Sequence, residues 1–503
     1  MNATRPAAVV ILAAGEGTRM KSDLPKVLHP IGGLALVGHA IRAARHTESE
    51  FVAVVVRHQR DRVVEQCQIL DTGLLFADQD EIKGTGRAVE CGLASLPADL
   101  EGTVLVTSGD VPLLTGQTLV ELTTKHAESG SAITLVSARV PNPFGYGRVV
   151  RDRDGSVEAI VEHKDATDEQ REIDEINAGI YAFDAAVLRS ALEQVTDQNA
   201  QGEKYLTDVV SIARSEGLKV DAHVVEDLWQ TEGVNDRVQL ASLGRVLNQR
   251  VCETHMRAGV TIVDPASTWI DVDVSIGQDT TILPGTQLLG ATTIGSGCTL
   301  GPEVTIAHSE VADAASIVRA EVHHAKIGAE ATVGPYSYLR PGTVLGAKGK
   351  IGGFVETKNA NIGEGAKVPH LTYCGDATIG EGANIGAGTI FANYDGVAKH
   401  HTTVGKHSFV GSDSVLVAPV NIGDGAYVGA GSALTHDVEP GQIAVARGHQ
   451  RNIDGWVARS RAGTKSAAAA EAARAARGDS AHTDQSNSVD AEGDSTTEGN
   501  QSS

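Results

Sequence analysis

Residues 275–308 read SIGQDTTILPGTQLLGATTIGSGCTLGPEVTIAH, and the period of this stretch decides the fold of everything around it. Ile276, Ile282, Leu288, Ile294, Leu300 and Ile306 stand six residues apart. The spacing recurs at Ile327, Val333, Leu339, Leu345 and Ile351, and again at Val404, Val410, Leu416, Ile422, Val428 and Leu434. Self-similarity at a six-residue period is the signature of a parallel β-helix, in which three hexapeptides close one triangular coil. Many of these aliphatics precede a glycine, as in Ile276-Gly277, Ile294-Gly295, Ile362-Gly363 and Ile422-Gly423, which lets the chain turn a tight corner. One aliphatic per side points into a narrow core without room for large rings, in keeping with an aromatic content of only 4%.

The repeat places a β-helix domain at 258–464. It breaks at 393–403, NYDGVAKHHTT, a polar insertion between two regular coils. Insertions in a repeat fold project from one face and often carry its binding function. Upstream, Val238, Leu240, Leu243, Val246, Leu247 and Val251 are spaced roughly helically, which predicts a linking helix over 236–257.

Before it, over 1–235, apolar β-rich segments such as Ala8–Ala13, Phe51–Val56, Thr103–Thr107 and Ala132–Ser137 alternate with helix-compatible stretches such as Leu36–Ala44 and Gln117–Glu128. That rhythm predicts an α/β sheet, with ligands beyond the carboxyl ends of its strands. Downstream, 465–503 passes from Ala-rich KSAAAAEAARAARG into acidic Ser/Thr/Asp/Gly sequence and is expected to be a disordered tail.

Composition narrows the functional classes. No apolar run approaches the ~20 residues of a membrane helix, and the short run Ala7–Ala14 reads as a buried strand feeding a loop rather than a secretion signal. The five cysteines are scattered and lack CxxC spacing, so neither a disulfide framework nor a zinc site is indicated and a reducing cytoplasm is expected. A net charge of −22 argues against nucleic acid as a partner, while leaving room for a basic pocket that takes a small anionic substrate.

Two constellations carry chemistry. The first opens with Leu12-Ala13-Ala14-Gly15-Glu16-Gly17-Thr18-Arg19-Met20 and Leu24-Pro25-Lys26. A Gly-rich loop leaving a strand brings backbone N–H groups against phosphate oxygens, while Arg19 and Lys26 neutralise a triphosphate. It is neither a Walker loop nor a dinucleotide fingerprint. Next comes the buried strand Thr103–Thr107, ending in Ser108-Gly109-Asp110, where one carboxylate can share Mg²⁺ with waters and substrate phosphates. The loop and LPK string resemble those of sugar-1-phosphate nucleotidyltransferases.

At closer range, over residues ~7 to ~455, the chain resembles the bacterial bifunctional N-acetylglucosamine-1-phosphate uridylyltransferases/glucosamine-1-phosphate acetyltransferases. Strings such as Gly145-Tyr146-Gly147-Arg148, Val161-Glu162-His163-Lys164-Asp165-Ala166, Glu175-Ile176-Asn177-Ala178-Gly179 and Asn199-Ala200-Gln201-Gly202-Glu203 carry that resemblance. It implies an α/β Rossmann-like nucleotidyltransferase domain followed by a left-handed parallel β-helix, in a cytoplasmic homotrimer that makes a precursor for peptidoglycan and lipopolysaccharide. It further implies that Leu12, Ala13, Ala14, Gly15, Lys26, Ser108 and Gly109 hold UTP and that Asp110 and Asn235 bind Mg²⁺. Gln79 with Gly84 and Thr85 would read the uracil, and Gly147, Glu162 and Asn177 would hold the amino sugar. Read without the resemblance, Glu162–Asp165 is a solvated charge run. Lys83, where the family usually has an apolar residue, is a departure at the nucleotide pocket.

The second constellation is Lys367-Val368-Pro369-His370-Leu371-Thr372-Tyr373-Cys374. Acetylation of an amine by a thioester needs a base near neutral pKa, which a histidine supplies. By resemblance His370 is that base and Arg340 and Lys358 bind phosphate. Tyr373 and Asn384 would hold glucosamine-1-phosphate. Ala387, Asn393, Tyr394, Ser412, Ala430 and Arg447 would hold acetyl-CoA, with Tyr394 also a candidate for orienting the sugar amine. Cys374 departs from the larger aliphatic common there. Competing readings keep the nucleotidyltransferase with a purely structural β-helix, or make the whole chain a regulatory subunit with a degenerate transferase domain. His370, Lys358 and the NYDG insertion argue against the first, and the joint presence of Gly15, Arg19, Lys26, Asp110 and Asn235 against the second.

Overall fold

The computed structural model describes residues 5–199 and 201–477. The chain up to Ala446 forms one body and that from Arg447 another. In the first body an N-terminal nine-stranded sheet runs in the order Val220–Val224, Ile133–Arg139, Glu175–Asp184, Thr103–Ser108, Ala8–Leu12, Phe51–Val56, Leu75–Asp78, with Arg148–Arg151 and Val157–Val161 paired off this path. Ala8–Leu12 is parallel to both its neighbours, and its residues are buried up to the half-buried Leu12. An unbroken Val/Ile run is what a strand covered on both faces requires, and a separate apolar core lies on each face of the sheet. Leu12 pairs with Ser108, so the loops leaving these two strands open side by side at the carboxyl edge. Glu175–Asp184 runs antiparallel to both neighbours, with a register shift between Asn177 and Tyr181.

The linking helix is Arg237–Arg257, capped by Asp236, whose carboxylate accepts from the amides of Val238 and Gln239 at 2.9 Å each. It is joined to the coil that follows by one buried amide. Asn248 donates to Thr268 O at 2.7 Å and accepts from Ile270 N at 3.0 Å. Arg250 pairs with Asp227 at 2.6 Å, and Val272 N donates to Gly32 O at 2.9 Å, which ties the first coil to the N-terminal domain.

The β-helix consists of an 11-stranded and a 17-stranded parallel ladder and is of the left-handed kind. Its aliphatics form one continuous core from Cys252 to Val438. Buried threonines at the corners satisfy their own hydroxyls on nearby carbonyls, as Thr286 does on Leu283 and Thr389 on Gly386, both at 2.7 Å. The six-residue period is not strict. Thr281 pairs with Thr299, but Thr299 pairs with Ser316 and Ser316 with Thr332, so successive coils take 18, 17 and 16 residues. Residues are dropped at corners, where His308, Arg319 and His324 adopt positive φ, and this is why the six-residue spacing lapses between Ile306 and Ile327.

The expected exclusion of large rings is corrected at one place. Phe391 lies fully buried in the β-helix core, in the coil widened by the NYDG insertion, where Asn384 meets Phe409 25 residues on rather than 16 to 18. The expected disorder of 465–503 is also corrected in part. Lys465–Ala476 is a helix whose N-cap, Thr464, accepts from Ala467 N at 3.3 Å, and four consecutive alanines supply the propensity. The remainder of that segment from 478 lies outside the described residues. No helix among the described residues is long and apolar enough to cross a membrane.

Candidate functional site

The carboxyl edge of the sheet encloses a cavity of 470 Å³ lined by Leu12, Ala13, Ala14, Gly15, Lys26, Gln79, Gly84, Thr85, Ser108 and Asp110, together with Arg57, Lys83 and Glu203. Gly109 lies beneath it, its amide donating to Leu12 O at 2.8 Å. The Lys26 ammonium contacts the Asp110 carboxylate, whose other oxygen accepts from Ser108 Oγ at 2.7 Å. Asn235 reaches the same edge because Val234 N donates to Asp110 O at 2.9 Å, and its side-chain oxygen accepts from Arg19 at 2.8 Å. A divalent metal ion takes hard oxygen donors. A carboxylate and an amide oxygen from adjacent segments are the hard donors such an ion takes, so the residues fit one.

At another wall of the cavity, Gln79 Nε2 donates to the carbonyls of Ile82 and Gly84 at 3.1 and 3.2 Å, pinning the loop before the helix Thr85–Ala94. Gly84 has φ 117°, and a Cβ there would stand 2.1 Å from Lys204 O. The 203–207 segment links this loop to Glu162, with Leu206 N on Thr85 Oγ1 at 3.1 Å and Thr207 Oγ1 on Glu162 at 3.4 Å. Gly147, Glu162 and Asn177 meet, since a Cβ on Gly147 would lie 3.6 Å from Glu162 Oε1 and 3.7 Å from Asn177 Cβ. Glu162 is therefore not a solvated charge. Burial, then Asp165 and Asp208, raise its pKa against the pull of Thr207.

The second cluster sits on the β-helix. Glu356 pairs with Tyr373 and Lys358 with Gly375 across adjacent coils, and Gly353 pairs with His370. Arg340 bonds Glu356 at 2.9 Å. The pKa of Lys358 is depressed by contact with the Lys399 amine, then by the charges of Lys399 and Arg340. Lys399, on the insertion, was not singled out from the sequence, because its approach to Lys358 depends on how the insertion folds back. Asp376 faces both lysines. Burial raises its pKa, but the amides of Asn359 and Asn393 and the two lysines outweigh that and hold it low. Asn393 donates to Asp376 at 2.5 Å and to Tyr373 OH at 3.4 Å. Arg340, Lys358 and Lys399 outnumber the carboxylates of Asp376 and Glu356, so the cluster is net positive and suited to an anion.

His370 is exposed, and its carbonyl accepts from Gly388 N at 3.2 Å and Thr372 Oγ1 at 2.8 Å. Asn384 lies one coil on, opposite Lys367. Ala387, Ser412 and Ala430 occupy one corner in three successive coils, with Asp413 N on Ala387 O at 2.7 Å and Gly431 N on Ser412 O at 2.8 Å. Arg447 belongs to the second body. Cys374 is fully buried, and burial pushes its thiol up to about 12, which makes it core rather than reactive.

A nucleotide-sized cavity on an α/β sheet and a cationic cluster with an exposed imidazole on a hexapeptide β-helix define a two-site transferase. The MobA-like NTP transferase domain family matches residues 9–174, bacterial transferase hexapeptide repeats match 273–308, and the hexapeptide repeat of succinyl-transferase matches 401–436. The bifunctional protein GlmU of Mycolicibacterium vanbaalenii is 56% identical over 467 residues, covering 92% of this chain and 95% of that protein. Those of Streptomyces avermitilis and Corynebacterium glutamicum are each 55% identical, covering 94% and 93% of this chain and 98% and 97% of theirs. The chain belongs to the GlmU family of bifunctional proteins. It is a bifunctional transferase of UDP-N-acetylglucosamine synthesis, with uridylyltransferase and N-acetyltransferase activities.

Proposed function

We propose that acetyl transfer from acetyl-CoA to glucosamine-1-phosphate occurs at the β-helix cluster and precedes uridylyl transfer from UTP to N-acetylglucosamine-1-phosphate at the cavity. The observation that carries this reading is the presence of two chemically distinct clusters on two domains, Lys26–Asp110–Ser108 in one and Arg340–Lys358–Lys399 beside His370 in the other. At the β-helix, the cations hold the sugar phosphate while Tyr373 and Asn384 orient the sugar. The amine attacks the thioester carbonyl, His370 accepts the proton, and the CoA thiolate leaves. The column Ala387, Ser412 and Ala430 offers small side chains and exposed backbone to the pantetheine arm, joined by Asn393 and Tyr394.

At the cavity, Gln79, Gly84 and Thr85 take the uracil, and Gly147, Glu162 and Asn177 take the acetylated sugar. Asp110 and Asn235 would hold Mg²⁺, which would supply charge stabilisation on the phosphates. Lys26 and Arg19 neutralise the triphosphate as the sugar phosphate oxygen attacks the α-phosphorus and pyrophosphate leaves. We further infer a cytoplasmic homotrimer with the acetyl-transfer site shared between β-helices, supported by the hexapeptide repeats.

The test supplies glucosamine-1-phosphate, acetyl-CoA, UTP and Mg²⁺ and follows free thiol and pyrophosphate separately. His370→Ala should slow thiol release by roughly 10²-fold or more and leave pyrophosphate release from N-acetylglucosamine-1-phosphate unchanged. A folded His370→Ala protein with wild-type thiol release would refute the base assignment. Wild type that never releases thiol would favour the purely structural β-helix.

A further inference from the structure

The NYDG insertion is a closed hairpin, fastened by backbone bonds and by one side-chain pair between Asp395 and His400. Tyr394 and Lys399 form an antiparallel bridge, Asp395 N donates to Ala398 O at 3.1 Å, and His400 N donates to Asn393 O at 2.8 Å. Gly396 makes the turn at φ 99°, with open space where its Cβ would be. At the centre is Asp395. One carboxylate oxygen accepts from the amides of Val397 and Ala398 at 2.8 and 2.7 Å, and the other from His400 Nε2 at 2.7 Å. These donors hold the Asp395 carboxyl well below its ordinary range, the Ala398 amide first and then the His400 ring.

Without the ring, the turn would lose its one side-chain tie to the outgoing strand, leaving the Tyr394–Lys399 bridge and the bond from His400 N to Asn393 O. Lys399 is the residue immediately before His400 on that strand, and its amine contacts Lys358. Bringing two ammonium groups together is unfavourable until an anion lies between them. Some element must therefore hold the Lys399 backbone against that repulsion. The other end of the insertion is already secured by Asn393 on Asp376. The outgoing side is held by His400 and, one residue on, by the bond between His401 Nε2 and Thr378 Oγ1 at 3.0 Å, which lies beyond Lys399.

We propose that the Asp395–His400 pair is a positioning clasp for sugar-phosphate binding, which holds Lys399 beside Lys358 before the substrate arrives. His400 itself touches no reacting atom. The inference rests on the assignment of Lys358 and Lys399 to the sugar phosphate given above. The clasp preorganises the cationic site, so its loss is felt in substrate affinity and not in the chemical step.

The experiment measures acetyl transfer by thiol release in the full-length protein, with uridylyl transfer and thermal midpoint as controls of folding. His400→Ala should raise KM for glucosamine-1-phosphate roughly 10-fold while kcat and the KM for acetyl-CoA stay near wild type. His400→Gln, which restores an N–H near the Nε2 position, should recover most of the loss. In a Lys399→Ala background, His400→Ala should have no further effect on KM, because the group it positions is gone. Should the alanine variant fail to fold, His400→Leu keeps the volume without the donor and is read the same way. An unchanged KM in a folded His400→Ala or His400→Leu protein overturns the clasp, as does a penalty that adds in full to that of Lys399→Ala. If Lys399→Ala and Lys358→Ala both leave KM for glucosamine-1-phosphate unchanged, the phosphate assignment fails instead.

Discussion

Gly84→Ala should damage one activity and spare the other. The new Cβ would be 2.1 Å from Lys204 O and 2.6 Å from Lys204 N, against an ordinary carbon–oxygen contact of ~3.3 Å. The loop and the 203–207 segment must therefore separate by about 1 Å. That movement strains the bonds from Gly86 N to Lys204 O at 2.8 Å and from Lys204 N to Lys83 O at 3.0 Å, each contributing about 1 kcal/mol. The φ of 117° adds a backbone penalty of about 1–3 kcal/mol for a side chain. If only ~1.5 kcal/mol of this reaches the nucleotide-binding geometry, KM for UTP rises roughly 10-fold. The assay is pyrophosphate release against UTP concentration, alongside thiol release in the same preparation and thermal unfolding. We expect a weaker UTP site, a lower unfolding temperature for the N-terminal domain and unaltered thiol release. Wild-type KM for UTP with a wild-type unfolding temperature would refute the steric reasoning.

Two further substitutions probe the cavity. Asp110→Asn removes the anionic metal ligand and the partner of Lys26, so pyrophosphate release should fall by at least about 10²-fold while thiol release persists; equal loss of both in a folded protein would count against independent sites. Glu162→Gln follows from the raised pKa. Stability tied to the neutral carboxyl is fully present below the ordinary value of 4.5 and is lost as pH rises through the higher folded value, so the amide should raise the unfolding temperature at pH ~7.5 but not at ~4. It should also weaken N-acetylglucosamine-1-phosphate binding, and a lower unfolding temperature near neutrality would show that the carboxylate is stabilising.

Reading the sequence reached the parts of this molecule that are local or periodic. The β-helix followed from aliphatics six apart, and the cavity from a glycine loop and an aspartate that each end a buried strand. Contacts set by long-range folding were less legible. Arg19 and Asn235 are 216 residues apart and meet only because the helix entry returns to the sheet edge. Glu162 lies in a run of charges, and nothing in that run signals that it is half-buried against Gly147 and Asn177. Lys399 was missed because the insertion was read as a loop; the signal available was a short polar hairpin with Asp-Gly at its turn. Phe391 contradicts the expectation of a ring-free core because the insertion enlarges its own coil. At the tail, the Ala-rich KSAAAAEAARAARG has the propensity for the helix it forms, and the threonine cap just before it is the signal that separates it from the acidic sequence beyond.

The corner that stacks Ala387, Ser412 and Ala430 has the character of a graduated scale. Adjacent strands lie ~4.8 Å apart, and each of these residues comes from its own coil, so points along that edge can be separated only by whole multiples of this step. Point substitutions can alter what stands at a mark but not the distance between marks. A ligand lying along the edge must match its own anchor spacing to that interval. Removing one complete coil would shorten the scale by one graduation while leaving the remaining ones in line. Chain length in this half of the protein is thus converted into reach in discrete units, which a more irregular fold could not guarantee.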